Sequence, residues 1–266
     1  MKICVLVKSV PEAGVTKRIN PQTGRLDRGG ETRDNPFDTH AIEAAMELKE
    51  GKRGEITVDE IVAVTMGPEP ATKALRKAVS LGADRSIHLT DDALAGSDVN
   101  GTGYALARVL EAEAPDLVLL GQQSDDGECY TIGAVVADHL AMPSLTQVIN
   151  FQVQDGGLRC ERQAEYGYDT VQIELPAVIS VGDAINEPRY PSLKAIMGAK
   201  KKPLEKAAAG DVGIDASLVG ADGSRVQCGE FKAPPAKAAG QIIEDEDTNE
   251  TVEKIVAWLD ERKLLA

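Results

Sequence analysis

Between residues 3 and 140, short runs of β-forming apolar residues alternate with stretches whose apolar residues recur at helical spacing, and few folds accept that order. Ile3 to Val7 is an unbroken apolar run of the kind a strand buried on both faces needs. A polar loop containing Gly and Arg follows through Asp34, and then Phe37 to Lys49 sets Phe37, Ala41, Ala44, Ala45 and Leu48 on one helical face. The order repeats, with strands predicted at Ile61–Met66, Ser86–Leu89 and Leu117–Leu120 and helices at Pro70–Leu81, Asp98–Ala112 and Cys129–Leu140. Such alternation predicts crossover connections and an α/β fold, a doubly wound and mostly parallel sheet covered on both faces.

After Pro143 the texture changes to Leu145–Val153, Leu158–Gln163, Thr170–Leu175 and Ala177–Val181, with Asp155-Gly156-Gly157 as a hairpin signal between the first two. This predicts an antiparallel extension or edge on the same domain. Past Lys202 the chain becomes rich in Ala, Gly and Pro, including Ala233-Pro234-Pro235-Ala236. An acidic stretch from Glu244 to Asp247 then precedes an amphipathic helix carrying Val252, Ile255, Val256 and Leu259. The expected division is an α/β domain over 1–232 and an extended C-terminal arm ending in a helix over 233–266.

At 266 residues and 42% hydrophobic composition the chain has enough apolar material for a core. Lys and Arg number 29 against 43 Asp and Glu, a formal net charge of -14 that repels phosphate backbones and anionic membranes, so a nucleic-acid partner is not expected. Cys4, Cys129, Cys160 and Cys228 show no C-x-x-C spacing, which suggests neither a metal site nor a disulfide framework and fits a reducing cytoplasm. No apolar stretch reaches the ~20 residues of a membrane-spanning helix, and no direct membrane insertion is expected. His40, His88 and His139 lie far apart without partner spacing, so no catalytic or metal-ligating residue is assigned and the histidines are read as structural.

Three loops follow three predicted parallel strands. Leu117 to Cys129 runs from a buried strand through Gly121, Ser124, Asp125 and Asp126 into a helix, where free amides suit phosphate. Helix capping by Ser124, Asp125 and Asp126 accounts for the same residues. Asn35-Pro36-Phe37-Asp38 opens a helix, which capping explains as well as ligand contact does. Met66-Gly67-Pro68 ends another strand, as a tight turn or as a close backbone approach for a planar ligand. In a parallel sheet all three fall on one edge, and that convergence is the argument for a nucleotide site.

Farther on, Leu193, Ile196 and Met197 follow Asn186-Glu187-Pro188-Arg189-Tyr190 and precede Lys200 to Lys202, a basic cluster in an acidic protein. Read from the residues alone, these apolar positions are either the inward face of a short helix or a docking surface for acidic partners.

Val5 to Lys8, Asn35 to Asp38 with Glu43-Ala44-Ala45, Gly67-Pro68, Leu81 to Arg85, Gly121-x-Gln123, Leu175 to Val178 and Asn186 to Tyr190 with the lysine cluster together resemble the beta subunit of electron-transferring flavoproteins. That resemblance implies an adenine-nucleotide-binding type of α/β domain. It also implies a heterodimer whose alpha subunit holds the redox-active FAD and is embraced by the C-terminal arm. By the same resemblance a nucleotide binds at Leu6, Asn35, Pro36, Phe37, Asp38, Met66, Gly121, Gln123, Ser124, Asp126, Gly127, Glu128, Cys129, Tyr130, Thr131 and Ile132. Partner recognition would fall to Arg189, Tyr190, Leu193, Ile196 and Met197, with the leucine entering an apolar pocket on acyl-CoA dehydrogenases and related partners; this reverses the inward-face reading.

Members that carry single electrons hold AMP in this subunit, whereas electron-bifurcating members hold a second FAD that accepts hydride from NADH. Bifurcating relatives read Asp-Gly-Asp-Thr-Ala-Gln-Val-Gly where this chain reads Asp126 to Gly133 with Cys129 and Thr131 in place of Thr and Gln, and the Asn-Gln-Thr of many AMP-type members is also missing. The bulk of Tyr130 favours the smaller ligand, AMP. Gln163 stands where the family places a glutamate near the flavin. The resemblance therefore implies an electron-transfer subunit, incomplete as an enzyme by itself, serving a route from acyl-CoA-type dehydrogenases through the alpha-subunit FAD to a quinone reductase. The alternatives are the bifurcating subunit and a free-standing adenine-nucleotide sensor, the latter opposed by the exposed loop and the arm.

Overall fold

Every residue from Ile3 to Leu6 is buried, and strand β1 (Lys2–Leu6) accordingly lies inside a nine-stranded sheet with a neighbour on each side. The computed structural model describes residues 1–16, 18–227, 229, 240, 242–243 and 247–265, in two units, Met1–Gly229 and Glu230–Ala266. After β1 the first unit continues with β2 (Ser9–Pro11), β3 (Ile19–Asn20), β4 (Arg25–Leu26), β5 (Thr32–Asp34), α1 (Pro36–Lys49), β6 (Glu60–Met66), α2 (Thr72–Leu81) and β7 (Arg85–Leu89). Then come α3 (Val99–Glu113), β8 (Leu117–Gly121), α4 (Ile132–Leu140), β9 (Ser144–Gln154), β10 (Gly157–Ala164), β11 (Gly167–Glu174) and β12 (Ala177–Val181). The unit ends with α5 (Leu193–Ala199), β13 (Leu204–Ala207) and the single turn α6 (Gly220–Gly223).

The sheet order is β11-β10-β9-β12-β8-β1-β6-β7-β13, parallel from β9 through β12, β8, β1, β6 and β7 to β13. Alternate side chains of each buried strand feed two cores. Ile3, Val5, Ile61, Leu117, Leu119 and Ile179 pack with Ala41, Ala44, Ala45 and Leu48 of α1 and Leu75 and Ala78 of α2. On the opposite face Cys4, Leu6, Val62, Val118, Leu120 and Val178 meet Leu106, Val109 and Leu110 of α3 and Val136 of α4. The expected α/β fold with an antiparallel extension is the observed one. The chain advances from β1 to β6 and β7 on one side, and α3 then carries it back to β8 on the other, so the strand order reverses between β1 and β8.

Several expectations need correction. The polar loop before Asp34 contains two small antiparallel ribbons, β2 with β5 and β3 with β4. Strands of two and three residues are too short to show alternation, and the tip between β3 and β4 is set by Asn20 Oδ1, which accepts from the Gln22 and Thr23 amides. The helix expected from Pro70 opens as a 3-10 turn at Glu69–Ala71 and becomes α-helical at Thr72. The helix expected from Cys129 starts at Ile132, because Glu128 (φ 47°) and Tyr130 (φ 56°) take left-handed conformations that end any helical run. Ala177–Val181 is no part of the antiparallel extension; it returns as β12, parallel to both β8 and β9. Leu204–Ala207, read as the start of a tail, is the edge strand β13, where the exposed Glu205 and Lys206 hide the strand pattern and guard the open edge. The hairpin signal does hold: β9 and β10 are joined by Asp155 and Gly156, both at positive φ.

The second unit contains α7 (Thr248–Glu261), capped by Asp247, whose side chain accepts from the Asn249 amide. Within this unit α7 buries none of its residues, and Val252, Ile255 and Val256 remain exposed. The expected boundary at 232/233, the Ala233 to Ala236 stretch, Cys228 and Glu244 to Glu246 lie outside the described residues. Among the described residues no helix is long and apolar enough to cross a membrane.

Arg53 pins the antiparallel extension to the parallel sheet. Only 5% exposed, it donates to Glu47, to the Phe151 carbonyl (3.2 Å) and to the Ile185 carbonyl (3.0 Å), and it stacks 4.5 Å over the Phe151 ring. Arg53→Met keeps the apolar stem but strands Glu47 and two carbonyls, so we expect a loss of about 3–5 kcal/mol in urea unfolding. An unchanged midpoint would remove Arg53 from this role.

Candidate functional site

At the strand-order reversal, the carboxyl ends of β1, β6 and β8 surround a cavity of about 370 Å³. Its apolar walls are Leu6, Val64, Met66, Leu106, Leu120 and Ile132, contributed by strand ends and by the helices above them. Its polar side comprises Lys8, Arg28, Asn35, Gln123, Ser124 and Thr131, together with Ser97, Asp98 and Thr102 at the start of α3.

One buried carboxylate assembles this edge. Asp38 Oδ2 accepts from the Lys8 amide at the end of β1 (2.7 Å), and Oδ1 accepts from Asn35 Nδ2 (2.8 Å) and from the Gly121 amide at the end of β8 (3.2 Å). Burial pushes its carboxyl up to about 7, even though Asn35 and the two amides favour the charged form. Asn35 does not cap α1 through its side chain; it donates to Asp38 and to the Gln123 carbonyl (2.8 Å) and accepts from the Asp125 amide (3.1 Å). Gly121 is required by space, since a Cβ there would lie 2.6 Å from both Asp38 Oδ1 and Phe37 Cβ.

The loop between β8 and α4 closes the cavity. Asp126, its side chain 1% exposed, binds Lys8 Nζ (2.7 Å) and the Arg28 guanidinium (2.7 Å), and Lys8 Nζ also donates to Ser124 Oγ (3.0 Å). Burial opposes the charge on Asp126, but Lys8, Ser124 and Arg28 outweigh it and hold the carboxyl down at about 2. Neither Ser124, Asp125 nor Asp126 caps the helix; α4 begins with Thr131 at its N-cap and no side-chain cap, leaving its first amides available to an anion. The left-handed Glu128 and Tyr130 store backbone strain beside the cavity, as ligand sites commonly do.

Of the residues expected at a nucleotide site, Leu6, Asn35, Asp38, Met66, Gly121, Gln123, Ser124, Cys129, Tyr130, Thr131 and Ile132 line this one cavity. Pro36 and Phe37 stand behind it in the first turn of α1, Asp126 braces the loop, and Gly127 and Glu128 lie on its exposed side. Sequence reasoning missed Lys8, Arg28 and, at the start of α3, Ser97, Asp98, Val99 and Thr102 as lining residues. Lys8 had a signal, a cation directly after the first strand and opposite an acidic loop; Arg28 and the α3 segment had none.

The second group of residues lies at the other end of α1. Tyr190 is 96% exposed, Leu193 80% and Met197 71%, Ile196 is exposed as well, and α5 buries no residue. The inward-face reading is thereby overturned. Arg189, expected in partner recognition, is paired with Glu43 and Glu50 of the α1 region. Gln163 is exposed on β10 opposite Tyr168. The histidines bind backbone or pack: His40 Nδ1 lies 3.1 Å from the Asn186 carbonyl, His88 Nε2 2.8 Å from that of Gly67, and His139 meets Tyr104 edge to face.

The family described as electron transfer flavoprotein domain matches residues 23–212 of this chain. Over 263 residues the chain is 39% identical to the electron transfer flavoprotein subunit beta of Mycobacterium bovis, covering 96% of this chain and 97% of that one. The bovine (Bos taurus) electron transfer flavoprotein subunit beta is 35% identical over 264 residues, covering 98% and 97%. The caffeyl-CoA reductase-Etf complex subunit CarD of Acetobacterium woodii is 33% identical over 267 residues, with both chains covered in full.

The paired Asp126 carries a pH dependence. Because its folded-state pKa is depressed, its contribution is present in full above about pH 4 and is lost as pH falls through about 2. Asp126→Asn is expected to lower stability by roughly 2 kcal/mol at pH 7, with the difference from the parent shrinking below about pH 4. Urea midpoints measured from pH 3 to 7 test this, and a difference independent of pH would contradict the ion-pair assignment.

Proposed function

The chain belongs to the electron transfer flavoprotein beta-subunit family, and from that premise we propose that it holds AMP as a structural ligand and anchors partner dehydrogenases while the alpha subunit carries the redox-active FAD. Membership itself brings pairing with an alpha subunit in a flavin-containing, electron-transferring complex. The proposal adds the route, from acyl-CoA-type dehydrogenases through the alpha-subunit FAD to a quinone reductase, in the cytoplasm, with this chain no complete enzyme by itself. Cys4, Cys129 and Cys160 are free thiols, as a reducing compartment favours.

One observation carries the nucleotide reading: the residues expected to hold it converge at the strand-order reversal, beside a glycine whose lack of a Cβ lets β8 pack against α1. The fit extends to the polar groups. Gln123 Oε1 is shielded from solvent without a hydrogen-bond partner among the described residues, an acceptor suited to a ligand donor. Lys8, Arg28 and the open start of α4 would hold a phosphate, and the apolar walls at Leu6, Met66 and Leu120 would hold the base. The cavity volume falls at the low end of the 300–1,000 Å³ usual for small-molecule sites, which supports a mononucleotide.

The full-length similarity to CarD, a subunit of a caffeyl-CoA reductase complex, favours the second reading, a bifurcating subunit with its own FAD accepting hydride from NADH. Acid extraction of the purified heterodimer separates the two. One FAD and one AMP are expected; two FAD and no AMP would replace the first reading by the second. Gly121→Val is expected to abolish retention of the nucleotide, and full retention would refute the site.

The anchor reading rests on the exposed tip of α5. Burying one leucine in a partner pocket stabilises by roughly 1.5–3 kcal/mol, or about 10- to 150-fold in affinity. Leu193→Ala is therefore expected to raise the KM for an acyl-CoA dehydrogenase at least tenfold, with nucleotide content and melting temperature unchanged. A lower melting temperature with ordinary electron transfer would count against the anchor.

A further inference from the structure

Among the described residues, the segment that carries α5 is hydrogen-bonded to the rest of the domain at its two ends. Arg189 donates from Nε and Nη2 to the two oxygens of Glu43 (2.7 and 2.8 Å) and from Nη1 and Nη2 to those of Glu50 (2.6 and 3.1 Å), while its amide also reaches Glu43 (3.2 Å). Three residues earlier, Asn186 Nδ2 donates to the His40 carbonyl (3.0 Å). His40, Glu43 and Glu50 follow one another at spacings of three and seven, so they form a single stripe along α1 and its cap. At the far end Lys202 Nζ donates to the Ala83 carbonyl (2.8 Å), and β13 joins the sheet beside β7. Between these fixings no residue of α5 is fully buried, and a hollow lined by Val79, Leu81, Gly82, Pro191 and Ala195 adjoins it.

We propose that Arg189 is a positioning residue: its double fork onto α1 holds the Leu193 tip in the place where a partner with an apolar pocket and an acidic rim receives it, and Arg189 itself touches no partner. This rests on the docking reading of α5. Four of the five N–H donors of the guanidinium are directed at these two carboxylates, so its fork is turned toward α1. The cations left for an acidic rim are Lys194, Lys200 and Lys201. A tip held in one arrangement docks without first losing its conformational freedom, which is how a clamp away from the contact strengthens binding.

The test uses the whole heterodimer, with Arg189→Lys, which keeps the charge but loses the fork, and Glu50→Gln, which removes only the outer carboxylate. Hydrogen exchange of amides 189–198, excluding prolines, is expected to quicken about tenfold in both variants, with amides 41–47 of α1 unchanged. With an acyl-CoA dehydrogenase reduced by its substrate as probe, KM is expected to rise about tenfold while kcat stays within about twofold. The dependence of kcat/KM on ionic strength should keep its slope, because the lysines remain. A higher KM with a shallower salt slope and unchanged exchange would make Arg189 a direct contact and overturn the proposal. So would faster exchange with an unchanged KM, or no change in either. Leu193→Ala, measured alongside, tells the two failures apart: if it too leaves KM unchanged, the docking reading falls and takes the clamp with it, whereas a raised KM there with none in the Arg189 and Glu50 variants overturns the clamp alone.

Discussion

The Asp38 carboxylate, buried and bonded to an amide of β1, an amide of β8 and the side chain of Asn35, is the contact on which the arrangement of the site depends. Two parallel strands end side by side at a reversal in strand order, with amides that no further ladder will satisfy. An acceptor inserted from the following helix binds both, and α1 supplies it from its first turn. The cost of burying that group is visible in its elevated pKa, near 7. In return the ends of β1, β8 and α1 are tied together, and Gly121 approaches α1 closely. The Asp126 pair repeats the device on the outer loop with the opposite balance, because two cations there more than offset the desolvation.

The central fold was legible because it is written in buried strands. An unbroken apolar run such as Ile3 to Val7 has few alternatives, and helical periodicity between such runs leaves a parallel sheet as the consistent answer. Legibility failed where burial is partial. Strand β13 exposes Glu205 and Lys206, and β2 to β5 are too short for any period, so neither carried a pattern. β12 was read as strand but given the wrong company, since pairing direction depends on where the chain returns to the sheet and not on its own residues.

The site was legible in part for a related reason. Its residues stand at strand ends, positions that follow once the strands are known, and Leu6, Asn35, Asp38 and Gly121 do meet there. What could not be read was the partnership among side chains distant in sequence. Asn35 resembled a helix cap and instead reaches across to the β8 loop; Arg189 resembled a surface cation and is bound to two carboxylates 146 and 139 positions away. Arg28 arrives from a ribbon that the sequence presents as loop.

The exposure of α5 has a consequence for how such a chain can diversify. Because Leu193, Ile196 and Met197 are exposed, exchanging them falls in the class of surface substitutions whose effect on folding is usually within about 0.5 kcal/mol. The segment between its two fixings is thus a replaceable cassette: its side chains can change while the scaffold that presents it, and the cavity at the other end of α1, stay as they are.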